Sequence, residues 1–253
     1  MPQRIVIKIG TGVLTKEDGH LNRASLWNLV NVVAKLQLDG YSCVLVSSGA
    51  VGAGVEAFGL ESYPNDLATK QACAAVGQSR LMQVYQNLFE NFDLNIAQIL
   101  LSGANLSTEE QTQLVYNTLN RLTDERSIIP VINENDVVTV QELTFGDNDQ
   151  LSVQVAKLLK ADHLFLLTST DGLYPPNGSE ILTEVNDINS VLDYANGNSG
   201  KFSTGGMASK LQAVKKAVDA NIQSYIINGE QPQRIASFLS GETTTGTRFL
   251  ATR

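Results

Sequence analysis

Arg4 to Gly10 reads "RIVIKIG", and this short run decides the fold. Ile5, Val6, Ile7 and Ile9 make it apolar on both faces, with Lys8 the one interior charge, and it stops at a glycine. A short β-branched run without polar alternation is the pattern of a strand covered on both sides, as in parallel sheets. The pattern recurs in "SCVLVSS" (Ser42–Ser48), "LNIAQILL" (Leu94–Leu101), "SIIPVIN" (Ser127–Asn133), "HLFLLTS" (His163–Ser169) and "QSYIIN" (Gln223–Asn228). Between these runs, Ala24–Leu38, Asp66–Phe89, Thr108–Asp124, Asn148–Leu159 and Gly206–Asp219 carry helical periodicity. Strand and helix in alternation predict an α/β fold with a mainly parallel sheet and helices on both faces.

Composition narrows what such a fold does here. The chain has 253 residues, 43% hydrophobic and 17% charged, which suits one large core or two modest lobes. A net charge of −8 argues against a broad nucleic-acid surface, which needs clustered Lys and Arg. Small anions then have to be held by a few placed lysines and backbone amides. Cys43 and Cys73 lie in apolar stretches outside any CxxC pair, and only His20 and His163 are available as histidines, so a structural zinc site is not expected and no metal ligand is assigned. No apolar run reaches membrane-spanning length and the chain opens almost directly in its first strand, so a cytoplasmic protein without membrane partners is expected.

Ligands of such sheets bind beyond the carboxyl ends of the strands, where glycines open helices. In "KIGTGV", Lys8 either points to water from an edge strand or projects over a phosphate-holding turn at Gly10 and Gly12. In "VSSGAVGAG", Ser48, Gly49 and Ala50 lead into a helix, and Gly52, Gly54 and Ala57 match the dinucleotide fingerprint G-x-G-x-x-A. That fingerprint wants a second strand soon after its helix, whereas this chain stays helical to Glu90. "INEND" crowds Asn133, Glu134, Asn135 and Asp136 at one strand end, more than a turn needs and suited to an ammonium and a carboxylate. Val137–Leu143 alternates and predicts a small flap, followed by Asp147, Asn148 and Asp149 before a helix. Those acids fit an N-cap, an orienter of lysines or a Mg²⁺ ligand. In "LLTSTDGLY", a turn at Asp171-Gly172 follows hydroxyl residues that suit an adenine or ribose pocket. "FSTGGMASK" (Phe202–Lys210) fails as a Walker motif, because Ser209 precedes the lysine and Leu211 follows it. It still sets glycines at a helix start with Lys210 one turn in.

Taken in order, "KIGTGVLT", "VSSGAVGAG", "KQACAAVGQSRLM", "PVINENDVV", "FGDNDQLS", "LLTSTDGLY" and "STGGMASKLQAV" resemble the amino acid kinase family, and within it the glutamate 5-kinase branch. The resemblance covers nearly the whole chain. It implies a three-layer αβα sandwich of the carbamate kinase-like type, a single domain with an amino-acid half over roughly residues 1–160 and an ATP half over roughly 161–253. It implies transfer of the ATP γ-phosphoryl group to the γ-carboxylate of L-glutamate with Mg²⁺, the first step of proline synthesis. A homo-oligomer, dimer or tetramer, and feedback inhibition by L-proline also follow from it. By position, Lys8, Asp149 and Lys210 resemble the catalytic set, with Asp149 organising the two lysines. Ser48, Gly49, Asn133, Asp136 and Asn148 resemble the amino-acid site. Lys8, Gly10, Thr168, Ser169, Thr204, Gly205, Gly206, Met207 and Lys210 resemble the ATP site. Ser169 departs from the family's Asp, and the chain stops at Arg253 without the PUA module of many bacterial members, whose contribution is expected to be absent. Rival readings are a sister kinase acting on acetylglutamate, aspartate, carbamate or a nucleoside monophosphate, and a non-catalytic sensor. The Gly/Asn/Ser-rich run Gly197–Met207 is expected to be the most mobile part of the chain without nucleotide.

Overall fold

A computed structural model describes residues 2–138, 148–176, 178–195 and 206–251. In chain order the elements are β1 (Arg4–Ile9), α1 (Thr11–Leu14), α2 (Arg23–Leu38), β2 (Ser42–Ser47), α3 (Ala50–Phe58), α4 (Leu67–Phe89), β3 (Asn95–Leu101) and α5 (Glu109–Thr123). There follow β4 (Ile128–Glu134), α6 (Asn148–Leu159), β5 (His163–Thr168), β6 (Glu184–Val185), α7 (Met207–Val218), β7 (Gln223–Asn228), α8 (Arg234–Ser240) and β8 (Thr247–Phe249). The strands form one sheet in the order β3-β4-β2-β1-β5-β7-β8-β6. Every pairing is parallel except β7 with β8. The six apolar runs are its six longest strands. β6 and β8 span two and three residues, too short to leave a period in the sequence.

Strand alternation sorts side chains into two cores. Ile5, Ile7 and Ile9 join Leu45, Val131, Phe165 and Ile227 under α2, α4 and α8. Val6, Val46, Ile132, Leu166 and Ile226 face α6 and α7 instead. The result is the αβα sandwich. β1 lies between β2 and β5, so Lys8 is on a central strand. The reading of Lys8 as an edge residue pointing to water is therefore wrong, because the residue is only 4% exposed and its side chain lies on the α6/α7 face.

The fingerprint glycines belong to helix packing. A Cβ on Gly54 would collide with the Cys73 carbonyl, and one on Gly77 with the Ala50 carbonyl, so both glycines let α3 and α4 touch backbone to backbone. A Cβ on Gly52 would lie 2.5 Å from Thr15 Cγ2. The dinucleotide reading loses its glycines to packing. Both cysteines are buried free thiols.

Candidate active site

Register assembles the site. Ile9 pairs with Ser47 and with Leu167, and Val46 pairs with Ile132. Gly10, Ser48, Asn133 and Thr168 therefore emerge together at one edge of the sheet, and Asn228, paired with Thr168, emerges beside them. Gly10 donates its N–H to the Leu167 carbonyl at 3.2 Å, and its Cα faces Lys8 Nζ closely enough that a Cβ would sit 3.6 Å from it. Helices α1, α3 and α7 start at this edge behind Gly10, Gly49 and Gly206, and none has a side-chain N-cap. By contrast α2, α4 and α5 are capped by Asn22, Asp66 and Thr108. Gly49 adopts φ 100°, a conformation that favours glycine, and leans on Leu14 and Leu21.

Three charged residues meet beneath that edge. Lys8 Nζ lies 2.5 Å from Asp149 Oδ1, and Lys210 Nζ lies 3.1 Å from Asp149 Oδ2. Their exposures are 4%, 0% and 5% for Lys8, Asp149 and Lys210, so the cluster is cut off from bulk water. Burial alone would push the Asp149 carboxyl up, but the two ammonium groups outweigh it and hold it below the ordinary carboxylate range. Two ammonium groups on one carboxylate leave a net positive charge at the start of α6 and near the start of α7. That arrangement is suited to an anion.

A second, polar cluster adjoins the first through the peptide link from Asn148 to Asp149. Asn148 Nδ2 lies 3.0 Å from Ser48 Oγ, 3.2 Å from the Ser47 carbonyl and 3.0 Å from Asn133 Oδ1. Asn133 Nδ2 in turn donates to Gln78 Oε1 at 3.0 Å. Gln78, on α4, carries no role in the sequence reading. Its only signal is its place in "KQACAAVGQ", a stretch otherwise explained by helix packing. Asp136 lies on the turn after β4, partly buried. Burial and the nearby Glu134 charge push its carboxyl up to about 6.

At the far side of β5, Thr168 accepts the Gly229 N–H at 2.8 Å and Ser169 is exposed. The acid in this region is Asp171, held below the ordinary range by hydrogen bonds from Arg234 at 2.8 Å and Asn228 at 3.3 Å. That carboxylate is already committed to Arg234. Gly206 and Met207 open α7. Thr204, Gly205, Asp147, most of the expected flap and residues 197–205 of the stretch expected to be mobile lie outside the described residues.

Residues 3–228 match the Amino acid kinase family. The chain belongs to that family. A glutamate 5-kinase of Clostridium acetobutylicum is 41% identical over 98% of this chain and 94% of its own length. A glutamate 5-kinase of a Geobacter species is 44% identical over 98% of this chain and 68% of its own. This amino acid kinase also shares its fold with carbamate kinase from Giardia lamblia bound to AMP-PNP, at a TM-score of 0.68, 18% identity and 99% coverage of both chains. No helix among the described residues is long and apolar enough to cross a membrane.

Proposed function

We propose that this amino acid kinase is a glutamate 5-kinase, transferring the γ-phosphoryl group of ATP to the γ-carboxylate of L-glutamate. The observation that carries the reading is the buried Lys8–Asp149–Lys210 cluster joined to the hydrogen-bonded amides of Asn148, Asn133 and Gln78, in a chain 41–44% identical to glutamate 5-kinases. Residues 1–160 supply the amino-acid side and residues 161–253 most of the ATP side of one domain.

The chemistry needs charge and position. An attacking carboxylate oxygen forms a bond to the γ-phosphorus while the bond to the β,γ-bridging oxygen breaks and ADP leaves with that electron pair. Two unit charges about 4 Å apart repel by about 4 kcal/mol at an effective dielectric near 20. Lys8 and Lys210 offset that repulsion and take up the charge that spreads over the transferred group. Asp149 holds the lysines in place. No general base is required, since the nucleophile is ionised near neutral pH. Glycine-opened helix starts at Gly10 and Gly206 offer backbone amides to the ATP phosphates, with Met207, Thr168 and Ser169 along the same edge. Thr204 and Gly205 extend that ATP assignment. No group of three or more His, Cys, Asp and Glu able to hold a metal occurs among the described residues. Mg²⁺, when bound with ATP, would neutralise charge on the phosphates.

Ser48, Gly49, Asn133, Asp136 and Asn148 hold the amino acid, Asp136 facing its ammonium group. Hydroxylamine traps the acyl phosphate, so hydroxamate that depends on both ATP and glutamate is the expected product. Its absence would sink the reading. The same assay with added L-proline tests feedback inhibition, and light scattering tests assembly into dimers or tetramers. Both rest on family resemblance.

Asp136 gives the reaction a pH signature. Ionised Asp136 is needed for the ammonium, and protonation sets in as pH falls through about 6. KM for glutamate is expected to climb by up to about tenfold per pH unit below that value. Asp136→Asn should raise KM at neutral pH and flatten this limb. The linkage sign is reversed from that of a salt-bridged acid. Ionisation of a carboxyl whose folded value is raised costs stability at neutral pH, so Asp136→Asn should also raise the melting temperature of the ligand-free protein. A pH limb that persists in the variant would remove Asp136 from the pocket.

A further inference from the structure

We propose that Gln78 determines specificity for the α-carboxylate of the amino-acid substrate, an assignment that rests on the amino-acid kinase reading above. Side-chain amides are ordinarily ambiguous between oxygen and nitrogen, but here a backbone group settles them. The Glu134 N–H is a donor under any assignment, and it lies 2.8 Å from the Asn133 side chain. That atom must be Oδ1, so the other Asn133 atom is the Nδ2 donor. Its partner on Gln78, 3.0 Å away, must then be the Oε1 acceptor. The remaining atom of Gln78 is an amide nitrogen, a donor.

Asn148 is fixed by its neighbours in the same way. Asn133 Oδ1 and the Ser47 carbonyl are both acceptors, so the Asn148 atom facing them is Nδ2. The remaining Asn148 atom is Oδ1. Gln78 Nε2 and Asn148 Oδ1 are both buried and without a hydrogen-bond partner among the described residues. Gln78 is 8% exposed and sits on the buried face of α4 with Ala74, Gly77, Leu81 and Met82. A buried donor left unpaired costs free energy that an apolar side chain would avoid.

The two unpaired atoms have opposite polarity, which matches the two charged groups at the α-carbon of an amino acid. Asn148 is adjacent to Asp149 and its lysines, whereas Gln78 is two hydrogen bonds further along the relay. With the γ-carboxylate at the lysines, Gln78 belongs at the α end. There its N–H donates to the α-carboxylate, while Asn148 Oδ1 and Asp136 take the ammonium.

Gln78→Glu isolates the donor. It keeps an oxygen for Asn133 Nδ2 and replaces only the unpaired nitrogen by an acceptor. Binding is measured by calorimetry without ATP for L-glutamate and for its α-carboxamide, L-isoglutamine. Wild type should favour glutamate, and Q78E should move the ratio of dissociation constants toward isoglutamine by at least about tenfold. Gln78→Met, of similar volume and without a donor, should weaken glutamate by about tenfold to a hundredfold. A ratio within threefold of wild type in Q78E overturns the assignment, whether both ligands bind normally or both weaken alike. Failure of the wild type to form hydroxamate would count against phosphoryl transfer, and the binding ratio still tests Gln78 on its own.

Discussion

Lys210→Ala is expected to lower kcat by about a thousandfold or more, with a smaller effect on glutamate KM. Cations that act on the transferred phosphoryl group contribute about 10³- to 10⁵-fold in related chemistry. Lys210 is buried one turn inside α7, and its ammonium group sits on Asp149. Removing it leaves Lys8 and Asp149 as a balanced pair, so the fold should survive while the cluster loses its excess positive charge. An activity loss without unfolding is thus the specific expectation, checked by single-turnover kinetics alongside circular dichroism. Lys216, exposed on the same helix and bonded to Gln150 at 2.6 Å, is the control. Lys216→Ala should retain activity. If Lys210→Ala kept kcat within tenfold of wild type, Lys210 would have no part in the transfer.

Asp149→Asn should act on the fold as well as on the chemistry. It leaves two buried ammonium groups without the carboxylate that joins them. Breaking a buried charge network by removing one partner costs about 3–5 kcal/mol. For a chain of this size that is roughly 6–20 °C in melting temperature. Turnover should fall with the loss of lysine alignment. ATP brings negative charge to the same place, so saturating nucleotide should recover more melting temperature in D149N than it adds to wild type. The pH dependence follows from the direction of the shift. Because the lysines hold Asp149 below its ordinary value, its stabilising effect is complete above the unfolded carboxyl range and is lost as pH falls through the lower folded value. D149N should lack that acid limb. A variant as stable as wild type, with the same acid limb, would show that the triad does not hold the fold.

Much of this was legible in the chain because it is local. Apolar runs such as Arg4–Ile9 announce strands regardless of what they pair with, and helical periodicity located α6 to the residue. The two-residue β6 and three-residue β8 escaped because a period needs more residues to show. Gly52 and Gly54 match a dinucleotide fingerprint that the long helix after them already argued against, but their actual role was not legible. Glycine serves both phosphate approach and helix packing, and only the neighbouring helix says which. Gln78 went unassigned because a glutamine in a helical stretch has no signature of its own. Its significance lies in a hydrogen bond to Asn133, 55 positions away.

The alternation of strands and helices, the glycines that open helices at strand ends, and the residue types offered there are readable from the chain without its fold. Those features depend on neighbours within a turn or a strand. The fold was needed to show that Lys8 is central and buried, and that the amides of Gln78, Asn133 and Asn148 are locked in one orientation, and it supplies the geometry of the Lys8–Asp149–Lys210 link that the family resemblance implied. The physical reason is that parallel register gathers the carboxyl ends of distant strands at one edge. Burial there removes water as a partner, so each polar group must find its complement in another part of the chain.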